Sequence, residues 1–248
     1  MRNKIIIGNW KMNKTPSQTE SFLQEILPKI KQSSSVVVFC VPFTNLDIAS
    51  KLLKGTKANL GAQNISWQDS GAYTGEISGA MLKELSVSYA LIGHSERRQY
   101  FGETDTTVNQ RTVAAHRHNI IPVVCVGETL QERQSGNAQD IVTNQIKQAL
   151  KDITPEQAQN TIVAYEPIWA IGTGVTASAN DAQEMLKHIR KQLNNLYGDI
   201  ADKMHLLYGG SATAANAQEL LSQPDLDGLL VGGASLKVED FSTMANIV

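Results

Sequence analysis

The sequence predicts a closed parallel (β/α)8 barrel, on three observations. Eight short apolar segments rich in β-branched residues recur along the chain, amphipathic stretches of helical period lie between them, and the 248 residues contain no linker or low-complexity segment. Some of the strand-like segments are unbroken apolar runs, Val36 to Val41 most plainly, as strands covered on both faces must be. A doubly wound open sheet is the alternative, but its Gly-x-Gly-x-x-Gly signal is missing, because the first strand ends in Gly8-Asn9-Trp10-Lys11. One domain over residues 1–248 is expected.

Lys4 to Gly8 is the first strand. Thr15-Pro16 then starts a helix, with Gln18 completing a capping box and Phe22, Leu23, Ile26, Leu27 and Ile30 on one face; Pro28 is expected to kink or shorten it. Val36 to Val41 is the second strand, and Leu46, Ile48, Ala49, Leu52 and Leu53 mark a helix closed by Gly55. A third strand, Ala58 to Gln63, opens into a long polar loop, Asn64 to Glu76, of a length that usually signals function or docking. Tyr89 to Gly93 is the fourth strand, followed by His94-Ser95-Glu96-Arg97-Arg98 and a helix from Asp105 to His118. Ile121 to Gly127 is the fifth, and the Thr129/Glu132 capping box precedes the stripe Ile141, Val142, Ile146, Ala149 and Leu150. After Thr154-Pro155, Thr161 to Tyr165 is the sixth strand. It leads into Glu166-Pro167-Ile168-Trp169-Ala170-Ile171-Gly172-Thr173-Gly174. Ala182, Met185, Leu186, Ile189, Leu193 and Leu196 form the clearest helical stripe. His205 to Gly209 and Asp227 to Val231 are strands seven and eight, with a helix from near Thr213 between them and a last helix carrying Val238, Phe241 and Met244.

Composition narrows the functional classes. A formal net charge of -2 offers no broad basic field for nucleic acid, so an anionic ligand has to be met locally. Ile5-Ile6-Ile7 is too short for a signal-peptide core and no stretch approaches a membrane span; a cytoplasmic protein is expected. Cys40 and Cys125 sit in apolar strands and are read as buried hydrophobes without a disulfide. The Asn-x-Ser/Thr matches at Asn13 and Asn64 are chance.

In such a barrel the ligand lies at the carboxyl ends of the strands, so the residues just after each strand belong together. They are Asn9 and Lys11, His94 and Glu96, Glu166, Gly209-Gly210-Ser211 and Gly232-Gly233. Taken singly, each reads as a solvated charge or a turn. Jointly they specify proton abstraction next to a carbonyl in a small phosphorylated substrate: Glu166 as base, His94 with Lys11 and Asn9 stabilising an enediolate oxygen, and the glycine pairs with Ser211 as backbone donors to phosphate. Because Ser95-Glu96 reads as a helix N-terminus, His94 is expected to be a neutral donor. No metal is called for, since His116 and His118 cannot share a helix face.

The segments Gly8 to Asn13, Gly93 to Arg98, Val126 to Glu128, Ala164 to Gly174, Tyr208 to Ser211 and Leu230 to Leu236 resemble those of the triosephosphate isomerase family, in the family's order and over the full length. The resemblance implies interconversion of dihydroxyacetone phosphate and D-glyceraldehyde 3-phosphate without cofactor, in glycolysis and gluconeogenesis. It implies Glu166 as base, His94 as electrophile, Lys11 and Asn9 as polar groups at the substrate, and Gly172, Ser211, Gly232 and Gly233 at the phosphate. The family's glutamate base, neutral histidine and closing loop are general knowledge. Pro167 to Thr176 would be the lid, and Gly71 to Glu76 the loop that reaches a neighbouring subunit of a homodimer, with Thr74 near the partner's site. Many relatives carry lysine where this chain has Val175, which bears on lid kinetics more than on chemistry. Glu96 is read as an ion-pair partner and Cys125 as packing beneath Glu166. A sugar-phosphate-binding barrel without catalysis is the alternative, and a barrel isomerase for a larger phosphorylated sugar would need more recognition groups.

Overall fold

The computed structural model describes residues 2–171 and 177–247. Strands β1 (Ile5–Asn9), β2 (Val36–Val41), β3 (Asn59–Ala62), β4 (Tyr89–Ile92), β5 (Ile121–Val126), β6 (Ile162–Tyr165), β7 (His205–Tyr208) and β8 (Gly228–Val231) pair in sequence order. Every pairing is parallel, and β8 closes on β1 through the register Ile5↔Gly228 to Gly8↔Val231.

The unbroken apolar runs have a direct cause in this closure. Ile5, Ile7, Val38, Cys40, Leu91, Val123, Cys125, Ile162, Ala164, Leu207 and Leu230 pack together inside the barrel. Their sequence neighbours, among them Ile6, Val37, Phe39, Val124, Val163 and Leu229, pack outward under the helices. Since side chains alternate along a strand, two buried faces leave no polar position in the sequence. The same alternation carries Asn9 inward after Ile5 and Ile7, and Glu166 inward after Ile162 and Ala164.

The enclosing helices are α1 (Pro16–Ile30), α2 (Leu46–Leu53), α3 (Gly79–Glu84), α4 (Ser95–Phe101), α5 (Asp105–Arg117), α6 (Leu130–Gln134), α7 (Ala138–Ala149), α8 (Pro155–Gln159), α9 (Ala179–Tyr197), α10 (Ala217–Leu221) and α11 (Val238–Ala245). The capping boxes at Thr15, Thr129 and Thr154 are all formed. Trp10, Phe22, Phe39 and Phe241 meet edge-on or tilted, with centroids 5.1–6.4 Å apart, and lock α1 and α11 to the outer face of the barrel. Cys40 and Cys125 are free and buried. Among the described residues no helix is long and apolar enough to cross a membrane.

Four details differ from the sequence expectation. Helix α1 runs on through Pro28 to Ile30, because a proline this near the C-terminus forfeits one hydrogen bond with little helix left to break. The segment after Thr129 is two helices, α6 and α7, divided at Gly136, whose φ of 81° lies in the left-handed region and ends the first helix. Helix α10 begins at Ala217, since the Asn216 side chain takes the Thr213 N–H at 2.8 Å and makes a turn of residues 213–216. Helix α3 was not expected at all; with only Gly79 and Leu82 buried it shows no apolar period.

Candidate active site

Among the described residues, the expected ones follow the carboxyl ends of the strands. Asn9 closes β1 and is buried; its Oδ1 accepts from the Lys11 N–H at 3.0 Å, and Gln63 donates to the Lys11 carbonyl at 2.8 Å. These two bonds hold Lys11 at φ 52°, a conformation unfavourable for a side-chain-bearing residue and one that clusters at functional sites. The held backbone sends the lysine across Gly232, where an added Cβ would meet its Cε at 3.3 Å, to a 2.6 Å ion pair with Glu96 Oε1.

His94 follows β4 as the N-cap of α4. The Glu96 N–H donates to Nδ1 at 3.3 Å, which requires a lone pair there and assigns the ring proton to Nε2. Nε2 faces Glu166 Oε1 at 2.8 Å. Glu166 is 2% exposed and also accepts from the Ser95 N–H at 2.9 Å and Ser95 Oγ at 3.2 Å. Gly209 leaves the room for it, since a Cβ there would stand 3.0 Å from Glu166 Cγ.

Burial works against a charged Glu166, but His94 and the Ser95 donors outweigh it and hold the carboxyl below the usual glutamate range. For His94, burial lowers proton affinity, while contact with Glu166 outweighs it and lifts the ring above the ordinary histidine value. The pair therefore titrates as a unit. The thiol of Cys125 is pushed up by burial and by Glu166 above it, in keeping with a packing role.

Asn9, Lys11, His94, Glu166, Ser211, Gly232 and Gly233 line one cavity of about 410 Å³ at the carboxyl end of the barrel. The lining also includes Gly210-Ser211 after β7 and the start of the short 3₁₀ turn Gly233–Leu236 after β8, whose leading N–H groups have no partner within the turn. A larger cavity of about 720 Å³ beside the amino ends of β2 and β3 contains no carboxylate or histidine, so the chemistry points to the smaller one. Gly172, with residues 173–176, lies outside the described residues; Pro167 to Ile171 are described and include the 3₁₀ turn Ile168–Ala170.

Sequence reading missed four contributors. Ser95 reads in the sequence only as a helix start, although orphan N–H groups in a first turn call for an acceptor. Glu128, wholly buried, accepts from Tyr165 OH at 3.0 Å and Trp169 Nε1 at 2.8 Å, and nothing in its local sequence reveals this. Lys237 and Asp240 stand at the rim of the cavity, brought there by α11.

A parallel (β/α)8 barrel with a buried carboxylate–imidazole pair facing a backbone-lined pocket belongs to the class of barrel enzymes that work at the carboxyl ends of their strands. The family model described as triosephosphate isomerase matches residues 4–248. The chain is 49% identical over 247 residues to triosephosphate isomerase of Thermoanaerobacter sp. (strain X514), covering 99% of this chain and 100% of that one. It is 50% identical over 250 residues to that of Picosynechococcus sp. (strain ATCC 27264 / PCC 7002 / PR-6), covering 100% of both. The crystal structure of triosephosphate isomerase from Bartonella henselae superposes with a TM-score of 0.91 at 40% identity, over 99% of this chain and 98% of that one. The chain belongs to the triosephosphate isomerase family.

Proposed function

We propose that the protein interconverts dihydroxyacetone phosphate and D-glyceraldehyde 3-phosphate, with Glu166 as base and His94 as electrophile. The observation that carries this reading is the 2.8 Å contact of a buried Glu166 carboxylate with His94 Nε2, in the cavity that Lys11 and the strand-seven and strand-eight turns also line.

The carboxylate takes a proton from the carbon next to the substrate carbonyl, and the C–H pair becomes the C=C bond of an enediolate. Lys11, Asn9 and the Nε2–H of His94 stabilise the oxygen that gains charge, and His94 passes a proton between the two oxygens. Glu166 returns its proton to the neighbouring carbon, which completes the isomerisation with no net gain or loss of protons or electrons. Turning towards substrate takes Glu166 away from Ser95 and His94. Its basicity then rises, because the donors that stabilise its charge are lost, while the His94 ring, whose Nδ1 lone pair accepts from the Glu96 N–H, is kept neutral by burial and the helix N-terminus. Ser211, Gly232 and Gly233 hold the phosphate, with Gly172 as a further donor, and Pro167 to Thr176 act as the lid that keeps water from the enediolate.

The same reading makes the chain a single domain, a homodimer and a cytoplasmic enzyme. Support for the dimer comes from exposed apolar side chains: Tyr73 within the Gly71 to Glu76 loop, Met81 in a cleft with that loop, Met12 after β1 and Phe101 at the end of α4. The function is tested by incubating dihydroxyacetone phosphate with the protein in D2O. An isomerase yields D-glyceraldehyde 3-phosphate carrying deuterium on the carbon that Glu166 reprotonates. A sugar-phosphate binder gives saturable binding with neither product nor exchange.

A further inference from the structure

We infer that Arg133 is a positioning residue for Glu166; this deepens the isomerase reading and rests on it. Glu128 has no exposed surface, and one of its oxygens, Oε2, has no hydrogen-bond partner among the described residues. A buried carboxylate half satisfied in this way is costly. What it gains is a hold on the base from both sides: Oε1 accepts from Tyr165, directly before Glu166, and from Trp169, three residues after it, while the Glu128 carbonyl accepts from the Ile168 N–H at 3.1 Å.

Arg133 on α6 brings a cation to this arrangement. Its Nη1 lies 3.4 Å from Glu128 Oε1, and its guanidinium stacks 4.4 Å from the centre of the Trp169 ring. Its Nη2 donates to Asp181 Oδ1 at 2.8 Å. The other oxygen of Asp181 caps α9, accepting from Ser178 N–H at 3.0 Å and Ser178 Oγ at 2.6 Å. A single guanidinium therefore joins the backbone leaving Glu166 to the start of α9. Its planar fork suits three partners at once, which a lysine ammonium cannot match. An ordinary surface ion pair would need neither the stacked ring nor the buried carboxylate.

The expected consequence is that Arg133→Gln moves Trp169 and loosens the aim of the Glu166 carboxylate, without touching the groups that bind substrate. A misplacement of this kind lowers kcat by about tenfold to a hundredfold and leaves KM for D-glyceraldehyde 3-phosphate within about threefold. Arg133→Lys, which keeps the charge and loses the fork, recovers part of the rate. The variants and the wild type are labelled with 5-fluorotryptophan, and the 19F resonance of Trp169 is followed alongside those of Trp10 and Trp67. The inference is upheld if the Trp169 resonance alone shifts in Arg133→Gln and kcat falls while KM holds. It is overturned if kcat per folded molecule is unchanged, or if the rate loss merely tracks a lower folded fraction, or if the Trp169 resonance stays in place. A wild type without turnover would sink the isomerase reading instead, and the Trp169 resonance would then decide by itself whether Arg133 orders this segment.

Discussion

At the residue scale the site is a contest over one carboxylate. Ser95 and His94 stabilise the charge on Glu166 against the penalty of full burial, and the net effect is a depressed pKa. A depressed carboxylate keeps its charge as pH falls through the ordinary glutamate value and loses it only below. Ser95→Ala removes the Oγ donor, 3.2 Å from Oε1, and weakens that depression. The acid limb of kcat/KM therefore moves to higher pH in the variant, measured from about pH 3 to 7 at constant ionic strength; an unmoved limb would mean that the hydroxyl does not stabilise the charge. The principal actors were legible because strand alternation and strand-end position pick out Asn9 and Glu166 from the sequence alone. Ser95 and Glu128 were not, because their roles come from contacts spanning 71 and 37–41 residues, which no local pattern encodes.

At the scale of elements, local signals and tertiary ties contribute unequally. The Thr15 cap on α1 is exposed and local, and Thr15→Ala is expected to cost about 1 kcal/mol. Asp227, just ahead of β8, accepts from Arg190 Nη2 at 2.8 Å, Arg2 Nε at 2.7 Å and the Leu206 N–H at 2.9 Å. It thereby ties α9, β7 and the amino end of β1 together. Asp227→Ala leaves Arg190, itself buried, without its main counter-charge, and is expected to cost about 3–5 kcal/mol. Urea unfolding of both variants separates the two effects: midpoints fall with the slope m unchanged, far more for Asp227→Ala than for Thr15→Ala. Equal losses would contradict this ranking. Strands and long helices were readable from period and caps. Helix α3 and the division between α6 and α7 were not, because a helix of one or two turns buries too few side chains to imprint a period.

At the scale of the whole molecule, stability follows protons as well as packing. Burial pushes the His116 ring down to about 4, and it also lowers His188 and His205. Each of these rings binds a proton more readily when unfolded, so stability is full above pH 6.5 and is lost as pH falls towards the folded-state values. His116 Nε2 donates to Thr161 Oγ1 at 2.9 Å, and Thr161 in turn donates to the Gln157 carbonyl, so a neutral glutamine can fill the same role. His116→Gln is therefore expected to show a smaller drop in Tm between about pH 6.5 and 4 than the wild type, in scanning calorimetry. An equal drop would place the acid sensitivity elsewhere. Closure of the barrel was legible from the strand runs, and it is closure that gathers residues 9, 94, 166, 211 and 233 into one cavity. The measurement that tests the central claim most directly is kcat/KM for D-glyceraldehyde 3-phosphate, with Glu166→Gln measured beside the wild type. The account predicts a wild-type value approaching the diffusional ceiling of about 10⁸ to 10⁹ M⁻¹s⁻¹ and a fall of several powers of ten in the variant. A wild type no faster than Glu166→Gln would contradict it.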